Sequence, residues 1–272
     1  MKAKSVAAPY IVWMAIFIIV PMILVVFFAF TDQNGNFTLK NIAGVGQYSN
    51  VFVRSIWLGA LATLISLLIG YPLAYIISHC NARKQSVLIM LVILPMWMNF
   101  LLRTYAWMTL LEDSGLINNA LEALGLGRIH MINTQGAVVL GMVYNYVPYM
   151  IFPIYSVLTK IDESVIEAAQ DLGANQGKVF RKVIFPMSMP GVISGITMVF
   201  VPAVSTFIIS KMLGGGSNLL IGDLIDMQFL GSAYNPNLGS AISLVLMILI
   251  LICMGIMNQF DDGEETGGGI LL

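Results

Sequence analysis

Apolar positions in this chain are grouped into six long runs, and polar positions fall mainly between them. The runs cover residues 9–30, 55–78, 86–110, 136–158, 189–210 and 238–257. A helix rises 1.5 Å per residue, so about 20 apolar residues cross a hydrocarbon core of roughly 30 Å. The pattern therefore predicts an all-α membrane protein, one transmembrane domain over residues 1–272 with six spans. The first run follows Lys2 and Lys4, but its apolar stretch is longer than the ~7–15 residues of a signal peptide and no A-x-A site follows. It is read as a retained helix.

Composition agrees with this pattern. Hydrophobic residues make up 58% of the chain and charged residues 10%, with a mean hydropathy of +0.87. Soluble domains carry about a quarter of their residues charged. The formal net charge of −1 leaves no basic face for phosphates, which argues against nucleic acid as a partner and leaves membrane lipid as the solvent. Cys80 and Cys253 lie in or near spans and read as small apolar fillers. His79 and His130 fall on opposite sides of the predicted membrane, which removes a shared metal site, and no metal ligand set is expected.

Positive charges orient the spans, because short cytoplasmic loops are enriched in Lys and Arg. With the N-terminus inside, the inner segments hold Lys2, Lys4, Arg83, Lys84, Lys160, Lys178, Arg181 and Lys182, and the outer ones Lys40, Arg54, Arg128 and Lys211. Both termini are then cytoplasmic, including the acidic tail at Asp261, Asp262, Glu264 and Glu265. Pro72, Pro95, Pro148, Pro153 and Pro202 remove backbone donors within spans. As a set they suggest helix breaks beside a transport path formed by spans two to five, and individually each also fits an ordinary kink.

The longest inner loop, 160–186, has the marks of structure. Ser164 and Glu167 have capping-box spacing, Ala168 and Ala169 favour helix, and Gly173 is a natural stop, which predicts a helix from about Val165 to Leu172. Val165, Ala169 and Leu172 are predicted to share an apolar side, and Glu163, Glu167 and Asp171 an acidic one. Such a helix suits a groove on a partner protein; spacing alone fits a solvated surface helix equally well. A phosphate-cradling loop needs G-x-x-x-x-G-K-[ST]. The nearest approach, Gly173 to Val179, has one residue too few between Gly173 and Gly177 and Val179 where a hydroxyl is required. No ATP site can be built from it.

The order Glu167-Ala168-Ala169, Gly173 and Pro186, placed between the fourth and fifth of six spans, resembles the EAA loop of binding-protein-dependent ABC importer permeases. Val183 stands for the consensus Ile and Phe185 for Leu. The resemblance implies a type I (MetI-like) permease fold in a bacterial plasma membrane. It also implies a coupling role for Glu167, Ala168, Ala169, Gly173 and Pro186, through a helix seated in a separate ATPase. The implied partners are a pair of ATPase subunits that use ATP and Mg, a second similar permease and an extracytoplasmic binding protein. The chain itself would need no cofactor and would not be an enzyme.

The stretches 94–111, 114–119 and 213–222 are similar to the spermidine/putrescine permeases of that family, which implies a polyamine-binding delivery protein and a polycationic substrate. A path for polycations calls for carboxylates at its mouth and aromatic or amide groups within. Asp223 and Asp226, expected in the outer loop before the last span, are candidates for the mouth, as are Glu112 and Asp113. Asn145, Tyr146 and Tyr149 are candidates within, with Asn145 and Tyr149 expected on one helical face. Arg103 is expected to reach the outer interface and pair with an acid or a lipid phosphate, with Tyr105 and Trp107 as interface anchors. Two other readings stay open: a permease of the same type for another small solute, and a secondary transporter without an ATPase. The second is disfavoured because no Asp or Glu lies in the interior of the six spans.

Overall fold

A computed structural model describes residues 9–265 apart from 11, 217 and 232, with side chains described as far as residue 257. Lys2 and Lys4, used above for orientation, and the acidic side chains near the C-terminus lie outside the described side chains. Among the described residues the chain is helical, with one isolated β-bridge between Thr31 and Phe37.

Four helices are long and apolar enough to cross a membrane, and two bent helix pairs bring the total to six if each pair makes one crossing. The first is α1 (Val12–Ala29), and a helical lead-in from Lys40 runs into α2 (Ser49–Ser78). The third span consists of α3 (Ala82–Ile93) with a tight turn at Leu94–Trp97, followed by α4 (Phe100–Leu111) and α5 (Leu116–Ala123). The fourth is α6 (Gln135–Leu158). Beyond it come α7 (Glu163–Asp171), α8 (Gln176–Met187), α9 (Met189–Ser205), α10 (Ile208–Leu213) and α11 (Ile221–Phe229). Finally α12 (Pro236–Glu265) carries an apolar stretch, Pro236–Met257.

Two predicted spans are not continuous. The third bends by 88° at Met98–Asn99, where Asn99 leaves helical geometry and its Oδ1 accepts the amides of Leu101 and Leu102 at 2.9 and 3.3 Å. The amide donors freed by the break thus gain a local partner, which lipid could not supply. The fifth ends at Ser205, with Thr206 and Phe207 non-helical before α10 resumes. The proline expectation is corrected as well. Pro72, Pro148, Pro153 and Pro202 lie inside unbroken helices, and only Pro95 sits at a break.

The centre of the fold is a mutual packing of α2, α6 and α9, while α1 and α11 lie against α12. Lipid is as apolar as Leu, so helix association here depends on close packing more than on escape from water. Small residues provide it. A Cβ on Gly191 would lie 2.8 Å from the carbonyl oxygen of Pro153 and 3.0 Å from Cα of Ile154, so α9 passes α6 at backbone contact. By contrast α1 leaves most of its apolar surface uncovered by the rest of the chain.

Candidate functional site: the α7 loop and the opposite end of the bundle

The loop between α6 and α9 is folded and closely joined to the bundle. Asp162, not Ser164, caps α7: its Oδ1 accepts the Ser164 amide at 3.0 Å, two positions earlier than expected. That amide holds the Asp162 carboxyl below the usual aspartate value. With Asp162 as the cap, Ser164 already lies inside the first turn of α7, so the Ser164–Glu167 capping box does not form. Gly173 stops the helix with φ +80°. Its amide donates to Gln170 at 2.8 Å and the Ala174 amide donates to Ala169 at 3.1 Å, the paired bonds of a Schellman motif.

Which side of α7 faces the bundle also differs from expectation. Ile166 and Ala169 turn inward, with Ala174 beside them, onto the core formed by α2 and α6. Val165, Ala168 and Leu172 face out, and Leu172 is 90% exposed. The apolar stripe is therefore real but runs through Ala168, while Ala169 belongs to the internal contact. Glu163, Glu167 and Asp171 are exposed, and Glu163 and Glu167 line a cleft of about 690 Å³ between α7 and the nearby ends of α2 and α3.

The loop then returns through α8, whose Asn175 cap accepts the Lys178 amide at 2.9 Å. Phe180–Ile184 widens to a π-helical turn. Pro186 follows this turn within α8, and the 60° bend into α9 falls at Ser188, two residues beyond the position expected to open the next element. The Tyr71 hydroxyl and Ser188 Oγ lie 2.9 Å apart, linking α2 to this bend. The rings of Tyr71, Tyr75, Phe180 and Phe185 stack edge to face or tilted around it, with centroids 5.5 to 6.4 Å apart. Sequence reasoning missed Tyr71 and Ser188, which are 117 residues apart. The available signal was Tyr71 and Tyr75 at i, i+4 near the inner end of a span.

The predicted path residues divide into two groups. Asn145 and Tyr146 are buried near the middle of α6. Asn145 Nδ2 donates to Gly141 at 2.9 Å, and its Oδ1 has no partner among the described residues. Tyr149 is exposed, so the shared face expected for Asn145 and Tyr149 is split between interior and surface. Asp223 and Asp226 are not loop acids but lie on α11. Asp223 is buried, its Oδ2 accepts the Leu220 amide at 2.8 Å, and burial pushes its carboxyl above the usual aspartate value. Asp226 pairs with Lys211 at 3.2 Å. Glu112 and Asp113 follow α4, and Asp113 lies 2.9 Å from His130.

Arg103 does not reach the outer interface. The bend at Met98–Asn99 places it in the first turn of α4, close to Tyr146, where it is 8% exposed and its Nε and Nη1 have no partner among the described residues. None of the ion pairs among the described residues includes it. Trp107 is half-buried against Tyr144, with ring centroids 5.3 Å apart, and Tyr105 is exposed. Among the described residues no three His, Cys, Asp or Glu side chains are gathered for a metal.

Up to six candidate membrane-crossing units, two of them bent, with a capped helix between the fourth and fifth, define a polytopic all-α membrane protein. The chain belongs to the binding-protein-dependent transport system inner membrane component family, whose pattern it matches over residues 4–263. It is 38% identical over 250 residues to the spermidine/putrescine transport system permease protein PotB of Haemophilus influenzae, covering 88% of this chain and 87% of that one. It is 34% identical over 255 residues to PotB of Escherichia coli, covering 90% and 91%. Its fold is similar to that of a chain in a bacterial ABC transporter involved in the import of the acidic polysaccharide alginate. That match has a TM-score of 0.79 at 19% identity, over 97% of this chain and 96% of the other.

Proposed function

We propose that this chain is one of two permease subunits of an ATP-driven importer of spermidine and putrescine. The similarity to two PotB proteins over nearly the full length of both partners carries this reading. ATP and Mg are used by a pair of separate ATPase subunits, and an extracytoplasmic binding protein delivers the polyamine. The chain sits in a bacterial inner membrane with both termini and α7 on the cytoplasmic side, an orientation supported by the excess of Lys and Arg in the segments assigned inside.

In this reading α7 is the coupling helix. Val165, Ala168 and Leu172 offer the ATPase an apolar strip, and Glu167 supplies charge beside it. Ala169 and Gly173 fix the helix to the bundle, and Pro186 lies on the return path. ATPase closure pushes α7, and the bundle opens toward the delivery side; hydrolysis resets it. Asn145, Tyr146, Tyr149, Asp223 and Asp226 supply amide, aromatic and carboxylate groups along the path for a polycation.

The intact complex, reconstituted in nanodiscs with its binding protein, tests both parts. Its ATPase rate is expected to rise with spermidine or putrescine, and Glu167→Lys is expected to abolish uptake while the protein still inserts. Stimulation by some other solute, with none by polyamines, would replace the substrate. Absence of a co-purifying ATPase, or full uptake by the Glu167→Lys variant, would remove the coupling role.

A further inference from the structure

At the end of the bundle remote from α7, where Ile209 and Leu213 of α10 meet Gly141 of α6, a cavity of about 280 Å³ opens between α10 and α11. Ser210, Lys211, Leu219, Asp223, Asp226 and Met227 are among its walls. Lys211 Nζ bonds Asp226 Oδ2 at 3.2 Å across it, with the lysine side chain 68% exposed. Asp223 also lines the cavity and is 4% exposed. One of its oxygens is held by the Leu220 amide; the other, Oδ1, is buried with no hydrogen-bond partner among the described residues, the Ser210 hydroxyl close to the carboxyl donating instead to Phe207 at 3.0 Å.

A buried carboxylate oxygen without a donor is costly, and the cost is removed by a cation bearing N–H groups. The cavity already holds one such cation by a tether. A lysine side chain is four methylenes ending in a primary ammonium, the same chemistry as n-butylammonium or one end of putrescine. Leu219 and Met227 provide apolar wall for methylenes. The volume is just below the roughly 300–1,000 Å³ of sites that enclose a drug-sized ligand, which suits one ammonium and its adjoining carbons rather than a whole polyamine.

We propose that this cavity receives a primary alkylammonium end of the transported substrate, and that Lys211 is a built-in competitor displaced from Asp226 when the substrate enters. This assignment rests on the polyamine reading above. The exchange is like for like: the arriving ammonium takes Asp226 and donates toward Asp223, while Lys211, whose side chain is 68% exposed against 21% for Asp226, swings into water at modest cost. Such a site holds its ligand without trapping it, because the lysine returns as the ligand leaves.

The test uses the intact complex in nanodiscs without binding protein, titrated with n-butylammonium and followed by saturation-transfer NMR, with n-butanol as the uncharged control. Lys211→Met removes the competitor and is expected to tighten n-butylammonium binding up to about fivefold, 1 kcal/mol, with no change for n-butanol. Lys211→Arg keeps a competing cation and should stay near wild type. Adding Asp226→Asn to Lys211→Met should abolish the gain. Lys211 is exposed, so its variants keep the test independent of the cap that Asp223 provides to α11. Equal affinity of wild type and Lys211→Met, or a gain that survives Asp226→Asn, would overturn the site and leave Lys211–Asp226 a surface ion pair. Polyamine uptake measured on the same preparations separates the two readings. Uptake with no Lys211 effect on binding refutes the site alone. Tighter, Asp226-dependent binding without polyamine uptake supports the site and refutes the substrate.

Discussion

Replacing Leu172 by Ala isolates the apolar strip of α7 from everything else in the fold. Leu172 is 90% exposed in this chain, so the substitution removes almost no internal contact, and exposed substitutions of this kind change stability by about 0.5 kcal/mol or less. Three carbon groups are lost. At about 0.8 kcal/mol per buried CH₂, their removal from a fully covered site costs about 2.4 kcal/mol, roughly 50-fold in dissociation constant. The backbone at position 172 is ordinary, with φ −77°, so Ala introduces no strain before Gly173. The assay is titration of fluorescently labelled ATPase against the permease pair in nanodiscs, alongside thermal unfolding of the pair alone. The expected result is a large loss of ATPase affinity with an unchanged unfolding midpoint. Unchanged affinity would show that the strip faces water in the complex, and a lowered midpoint would show that Leu172 supports the fold instead.

Two further substitutions test the elements that hold α7 and the bundle. Gly173→Ala meets no atom within 4 Å, so its cost is conformational, about 1–2 kcal/mol for a left-handed residue with a Cβ. Hydrogen exchange of the amides in the last turn of α7 should quicken by roughly 5- to 30-fold, and Gly173→Asn should recover part of the loss. Gly191→Ala pushes a methyl group against the backbone of Pro153 and Ile154 and should cost about 1–3 kcal/mol. It should lower the unfolding midpoint in detergent, whereas Gly255→Ala, with nothing within 4 Å, should not.

The six crossings were legible because a hydrocarbon core imposes its thickness on every span, and that constraint survives any detail of packing. The helix in the loop was legible for a similar reason, since Gly173 and the residues before it encode a stop locally. What escaped was geometry set by partners distant in sequence. Asn99 reads as an unremarkable polar residue in an apolar run until its side chain is seen capping α4, and with that break Arg103 moves from the membrane edge to the interior. Asp223 looked like a solvated loop acid because nothing near it in sequence announces that α10 and α11 close over it. On α7, Val165–Ile166 and Ala168–Ala169 form two adjacent apolar pairs that span two faces, so periodicity alone could not decide whether Ala168 or Ala169 pointed inward.

Phe185 departs from the Leu of the EAA consensus, and the structure gives the departure a use. Its ring leans on Tyr71 and Phe180, so the returning arm of the loop is keyed to α2 by side chains drawn from both. The 160–186 segment is consequently not an interchangeable cassette. A loop transplanted from a relative with Leu at that position would keep the spacing that defines the motif yet leave a gap beside Tyr71, and the graft would need a matching change on α2. Hybrid importers built from this chain should therefore be cut so that the loop and the end of α2 beside it travel together.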